Sequence, residues 1–229
     1  TIQGKRVVFF FQLLPGNIIE YIRQKGYSVE VLNSDLQNDN TEEMYEWLQK
    51  QAELIQWLIV DHYHINAEWE RKLRPYINHI LVIDDLADRQ HDCDILLDQN
   101  YYFQMETRYN GLLPPYCRQL LGPEYCLLRQ EFILARQHLR KRSGIVKRIL
   151  IFFGGSDPTG ETVRTLKVLN GLSLTDIIVD VVVGLSNYRR TEIQTICQDS
   201  GFNYYCQINH IAELMAQADL AVGAGGTAT

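Results

Sequence analysis

Short apolar runs alternate with segments of helical period along most of the chain, the pattern of a parallel sheet covered by helices. Val7 to Phe11 reads as a strand, turned by Pro15-Gly16. Asn17 then caps a short helix that Gly26 stops, glycine being the usual residue for the left-handed helix end. Tyr27 to Leu32 is the next strand and Asn33 to Asn40 a polar loop. Thr41 caps a helix running to about Gln56, with Met44, Leu48, Ala52 and Ile55 on one face. Leu58 to Val60 is a buried strand, a helix begins near Asn66 and ends at Pro75, and Ile80 to Ile83 and Ile95 to Leu97 are strands. Phe132 to Arg142 is helical and grows basic towards its end, where cations suit the helix dipole.

The alternation restarts after Ser143-Gly144: strand Ile149 to Phe153, a helix to about Gly171, strand Ile177 to Val183, a helix Thr191 to Ser200. Asn209 caps a further helix carrying Ile211, Leu214, Met215 and Ala218 on one face. A strand-like Leu220-Ala221-Val222 then runs into Gly223-Ala224-Gly225-Gly226-Thr227. The expectation is an α/β protein of two Rossmann-like domains, 1–143 and 144–229, joined by a short basic hinge. A strand at the very start and a glycine loop with no following helix mark the sequence as a piece cut at both ends.

Net charge narrows the partners. With 22 basic against 28 acidic side chains the formal charge is −6, which disfavours phosphate-backbone binding. The basic stretch Arg136 to Arg148 carries no interleaved aromatics for base stacking. No apolar run approaches the ~20 residues that span a bilayer. Five scattered cysteines with no CxxC spacing read as reduced thiols of a cytoplasmic protein, with no disulfide or zinc framework.

In open α/β sheets ligands bind beyond the carboxyl ends of the strands. Asp61-His62-Tyr63-His64 and Asp84-Asp85 stand there in the first half, Gly154-Gly155-Ser156-Asp157 and Gly223 to Thr227 in the second. The glycine loops suit a diphosphate, since they let backbone N–H groups approach an anion; ordinary tight turns are the alternative. Asp157 before Pro158 is most simply a helix N-cap with proline at the first helical position. For Asp61-His62, three readings stay open: a metal site with Asp84, Asp85, Asp88 and His91, a polar substrate contact, or plain structure.

Taken together, Val60-Asp61-His62-Tyr63, Ile83-Asp84-Asp85-Leu86, Cys93-Asp94-Ile95-Leu96-Leu97 with Asn100, Gly122-Pro123-Glu124-Tyr125, Leu128-Arg129-Gln130-Glu131-Phe132, Phe153-Gly154-Gly155-Ser156-Asp157 and Ala218-Asp219-Leu220 resemble the UDP-sugar hydrolases of pseudaminic acid biosynthesis. That family has a GT-B fold and is similar to the MurG glycosyltransferase. The resemblance implies two Rossmann-like domains facing a cleft. It implies hydrolysis of UDP-2,4-diacetamido-2,4,6-trideoxy-β-L-altropyranose by water attack at the anomeric carbon, with no metal, no cofactor and no nucleic-acid or membrane partner. Carried over by position, Asp61 and Tyr63 lie at the catalytic side, with Asn100 and Arg129 as further substrate contacts. Gly154, Gly155, Ser156 and Asp157 line the nucleotide side, and Ala224, Gly225, Gly226 and Thr227 approach the diphosphate. The family's general-base histidine sits in a glycine-rich loop that falls ahead of Thr1, so the chain as given is expected to turn over little. Three rivals remain: a MurG-like glycosyltransferase, a metal-dependent phosphoesterase built on Asp61, His62, Asp84 and Asp85, and a noncatalytic sugar-nucleotide binding module.

Overall fold

A computed structural model describes residues 4–14, 17–32, 41–172 and 174–225. Every strand pairing in it is parallel, and the chain divides into two units, Thr1–Leu127 and Leu128–Thr229. The Pro15-Gly16 turn, the 33–40 loop, the Thr41 side chain, Gly226 and Thr227 lie outside the described residues. Among the described residues no helix is long and apolar enough to cross a membrane.

The first unit runs β1 (Val8–Gln12), α1 (Ile19–Gln24), β2 (Ser28–Leu32), α2 (Thr41–Gln49), β3 (Ile55–Asp61), α3 (Ala67–Leu73), β4 (Ile77–Ile83), β5 (Ile95–Asp98) and β6 (Arg118–Leu121). β1 pairs with β2, and the others form a sheet in the order β3-β4-β5-β6. Register places Val60, Val82 and Leu96 side by side. They pack with Ile80, with Met44 and Leu48 of α2, and with Trp69 and Leu73 of α3 into one core. Asn66 caps α3, its side-chain oxygen accepting from the N–H groups of Glu68 (3.0 Å) and Trp69 (3.3 Å). The opposite face of β3 leaves Trp57 and Ile59 exposed.

One expectation fails in this unit, and one strand went unforeseen. The helix expected to reach about Gln56 stops at Gln49, and Ile55 opens β3. Met44 and Leu48 do share the buried face, but the run from Ile55 to Val60 is rich in β-branched and aromatic side chains, and Ile55 is paired with Ile77 of β4. The ladder overrides the helical spacing. The short edge strand β6 has no apolar run to announce it.

The second unit comprises α4 (Gln130–Gln137), β7 (Arg148–Phe152), α5 (Glu161–Asn170), β8 (Ile178–Val183), α6 (Arg190–Ser200), β9 (Asn203–Cys206), α7 (Ile211–Gln217) and β10 (Leu220–Gly223). Its sheet has the order β10-β7-β8-β9. Both faces are covered, as a parallel sheet requires. Ile149, Ile151, Val179 and Val181 pack on Val163 and Leu166 of α5 and Ile193 and Cys197 of α6. Leu150 and Val182 pack the other way on Ile211 and Leu214 of α7. β9 was not foreseen. Nor does Asn209 cap α7: His210 takes the N-cap position, with no side-chain bond.

The division between units falls ahead of the basic stretch. Phe132 of α4 packs into the α7 core. Arg140 donates to Asp219 Oδ1 at 2.5 Å and Arg142 to the carbonyl of Ala218 at 3.0 Å. Residues 128–143 are thereby tied to the second unit.

Within that unit the buried Asp180 of β8 accepts from Arg148 of β7 (Nε at 2.5 Å) and from Asn203 of β9 (2.9 Å). Asp180→Ala should cost about 3 kcal/mol, because it strands a half-buried guanidinium. Denaturant unfolding checks this, and a loss under about 0.5 kcal/mol would mean the three-strand tie contributes nothing.

Candidate active site

Two strands of the first unit, β3 and β5, end in an aspartate, and β4 between them is followed directly by one. Parallel register sets Asp61 against Ile83 and Ile83 against Leu97, so Asp61, Asp84 and Asp98 reach the same sheet edge.

Asp84 is buried, and its charge is met from several sides. Oδ1 lies 2.8 Å from the guanidinium of Arg89. Oδ2 accepts from the Ala87 N–H at 2.9 Å and from the Tyr109 hydroxyl at 3.0 Å. Ala87 takes a left-handed φ of 51° to make this turn, a conformation that costs a non-glycine residue energy. Tyr109, 1% exposed, also points its hydroxyl at Asp98 Oδ2, 3.2 Å away. Burial first, and then the two carboxylates, push the Tyr109 phenol far up, so it is held as a neutral donor. Burial likewise raises the carboxyl of Asp98.

Asp85 is held by its neighbours on both backbone and side chain. Its carbonyl accepts from the Tyr102 hydroxyl at 3.1 Å and from Arg108 Nη2 at 2.6 Å. Asn100 Nδ2 donates to its Oδ2 at 3.1 Å. The Arg108 guanidinium lies 3.5 Å over the Tyr102 ring, a stacked cation–π contact. Arg89 extends the frame to the loop after β3, donating to the carbonyls of Ile65 (2.7 Å) and His62 (3.0 Å).

Asp61 and Tyr63 stand beside this frame. The carboxyl of Asp61 is raised, first by partial burial and then by the charge of Asp85, with His62 working the other way. Tyr63 is 60% exposed, which removes core packing as its role, and its phenol is raised first by Asp85 and then by burial and Asp61. The structure therefore gathers Asp61, Tyr63, Asp85 and Asn100 at one strand-end edge. This set offers a carboxyl that takes and gives a proton above the usual aspartate range, a neutral phenolic donor and an orienting amide.

Two of the metal reading's candidates are engaged elsewhere. Both Asp84 oxygens are engaged, and His91 is buried with Nδ1 2.7 Å from Glu70 Oε1. Among the described residues no group of three or more His, Cys, Asp or Glu is arranged to hold a metal ion.

In the second unit the glycine loops are shaped by backbone contact. Gly154 has φ 80°, and a Cβ on Gly184 would lie 2.3 Å from the carbonyl oxygen of Gly155. Ser186 donates to that oxygen at 3.1 Å. Gly155 and Ser156 are exposed, as are Ala224 and Gly225. Asp157 departs from the expectation: it is turned inward, 4% exposed, and its carboxylate accepts from the N–H groups of Glu161 and Thr162, each at 2.9 Å. It caps α5 from four residues upstream, with Pro158 in the intervening turn, so these N–H groups are not free for phosphate. Arg129 belongs to the second unit, where it is exposed and pairs with Glu131 at 2.5 Å.

Sequence reasoning passed over Asp98, Arg89, Tyr102, Arg108 and Tyr109. Asp98 had a signal, since it ends its strand after Leu96-Leu97 as Asp61 ends Ile59-Val60.

No family model matches the chain. It is 28% identical over 210 residues to the UDP-2,4-diacetamido-2,4,6-trideoxy-β-L-altropyranose hydrolase of Campylobacter jejuni, covering 90% of this chain and 69% of that protein. It is 23% identical over 226 residues to an uncharacterized protein of Methanocaldococcus jannaschii, covering 96% of this chain but 45% of that one. The chain thus spans about two thirds of the first relative and less than half of the second. The first similarity makes it a distant relative of that hydrolase.

Folded Asp61 binds its proton more tightly than the unfolded chain does. Its contribution to stability is therefore complete below the unfolded value of about 3.9 and is lost as pH rises through the folded one. Asp61→Asn removes that loss. Relative to the parent, the variant's melting temperature should gain about 1–3 °C between pH 4 and pH 7, the carboxyl being partly solvated. A difference that does not change with pH would show that Asp61 feels neither burial nor Asp85.

Proposed function

We propose that the chain serves hydrolysis of a UDP-linked diacetamido-trideoxy sugar, the reaction of the UDP-sugar hydrolases of pseudaminic acid biosynthesis, in the cytoplasm. The observation that carries this reading is the meeting of Asp61, Tyr63, Asp85 and Asn100 at the strand ends of the first unit, in a chain 28% identical to the Campylobacter jejuni hydrolase. Water attacks the anomeric carbon, the bond from that carbon to the diphosphate oxygen breaks, and UDP leaves with the electron pair. Asp61 handles a proton of the attacking water, its carboxyl raised by partial burial and then by Asp85. Tyr63 donates to the sugar, and Asn100 fixes the Asp85 carboxylate. In the second unit, taken by itself, the exposed loops at Gly155-Ser156 and Ala224-Gly225 are of the kind that gives backbone N–H groups to a diphosphate, with Gly154 setting the turn; Asp157 caps α5 and takes no part. No metal or organic cofactor enters these steps.

Single-turnover incubation with the UDP-sugar in ¹⁸O-water tests the reading, with UDP binding measured calorimetrically alongside. UDP binding is expected, with only slow release of UDP, the ¹⁸O appearing on the sugar's anomeric hydroxyl. Label in the phosphate of UDP would favour a phosphoesterase, transfer to an added acceptor alcohol a glycosyltransferase, and neither binding nor release would overturn the proposal.

Tyr63→Phe separates contact with the reacting sugar from bystander status. If the hydroxyl bonds the sugar more strongly in the transition state, the single-turnover rate falls about tenfold while the melting temperature stays within about 1 °C. A rate within about twofold of the parent removes Tyr63 from the site.

A further inference from the structure

The five cysteines are free thiols, and two of them, far apart in sequence, meet in the first unit. Cys93 is fully buried in the core just ahead of β5, and Cys117 is the residue immediately before β6. Their Sγ atoms lie 3.5 Å apart. The backbones that carry them are locked together: Ile95 is in register with Arg118, and the Arg118 N–H donates to the Asp94 carbonyl at 2.9 Å. A disulfide needs its sulfurs at about 2.05 Å, so closure asks for a shift of about 1.5 Å, within reach of small side-chain rotations.

The two thiols are unequal. Cys117 is only partly buried, and its contact with the Cys93 sulfur lowers its thiol, with a backbone N–H at Leu96 acting in the same direction. Cys93, through the same contact and then its burial, is pushed far up. One is thus an accessible nucleophile and the other a resolving thiol waiting beside it.

We propose that Cys93 and Cys117 are a reversible oxidation site, at which hydrogen peroxide converts the contact pair into a disulfide that staples the edge strand β6 to β5. The Cys117 thiolate attacks one peroxide oxygen, the O–O bond breaks, and hydroxide leaves, giving a sulfenic acid. The Cys93 sulfur then attacks the Cys117 sulfur, the S–O bond breaks, and water departs with the Cys93 proton. The two thiols lose two electrons and the peroxide becomes two waters; a dithiol reductant reverses the change. The bridge lies at the amino ends of β5 and β6, the opposite end of the sheet from Asp98 and Asn100. It therefore braces an exposed sheet edge and leaves the strand-end carboxylates alone.

The test exposes the full chain to hydrogen peroxide, alkylates the remaining thiols and maps an unreduced digest by mass spectrometry. The expected result is a Cys93–Cys117 cross-linked peptide forming ahead of oxidation at Cys126, Cys197 or Cys206, and lost on dithiothreitol treatment. The oxidised chain should melt about 10 °C higher, as closing a loop of this length implies. Cys117→Ser should abolish the cross-link, and Cys93→Ala should leave Cys117 trapped as its sulfenic acid. If the buried Cys93→Ala does not fold, the partly exposed Cys117→Ser carries the comparison alone. Peroxide that oxidises the other cysteines while Cys93 and Cys117 stay alkylatable, or Cys117 over-oxidised in the parent without the bridge, would overturn the proposal.

Discussion

Parallel pairing is the constraint from which the rest of this molecule follows. Because every ladder is parallel, the carboxyl ends of the strands in each sheet collect at one edge. A polar residue that merely ends an apolar run then finds others of its kind beside it. In the first unit the residues delivered there are acids. Asp61 and Asp98 end their strands and Asp84 follows β4 directly; left alone, their charges would repel and their burial would be unfavourable.

The frame around them answers that cost with cations and donors from loops. Arg89 meets Asp84, and Arg108 lies 3.4 Å from Asp98 while holding the Asp85 carbonyl. Tyr109 stands between Asp84 and Asp98 as a neutral hydroxyl. Among the described residues no arginine pairs in this way with the carboxylates of Asp61 or Asp85, and Asp61 holds its proton more tightly through partial burial and then the charge of Asp85.

The second unit solves a different problem at its strand ends. Gly184 and Gly155 meet backbone to backbone, and a Cβ on Gly223 would lie 2.1 Å from the Phe152 carbonyl oxygen. Glycine is needed there because neighbouring backbones, which cannot give way, occupy the side-chain volume. The resulting edge is made of exposed main chain and small side chains, with the one acid of the loop, Asp157, withdrawn to cap α5.

Much of this was legible in the amino-acid order alone. The apolar runs of β4, β7 and β8, the buried stripe of Met44 and Leu48, the helix start near Asn66 and the strand-end position of Asp61 and Asp84 are local facts, set by side-chain size, polarity and spacing within a few residues. What the tertiary structure decided was partnership. Ile55 belongs to a strand because Ile77 lies beside it, whatever the helical spacing behind it suggests. Asp84 meets Tyr109, Asp85 meets Asn100 and Arg108, and Cys93 meets Cys117 across separations of 25, 15, 23 and 24 residues. Such pairs depend on strand register and on where loops return, which no local pattern encodes, and so the acids could be read from the sequence while the groups that hold them could not.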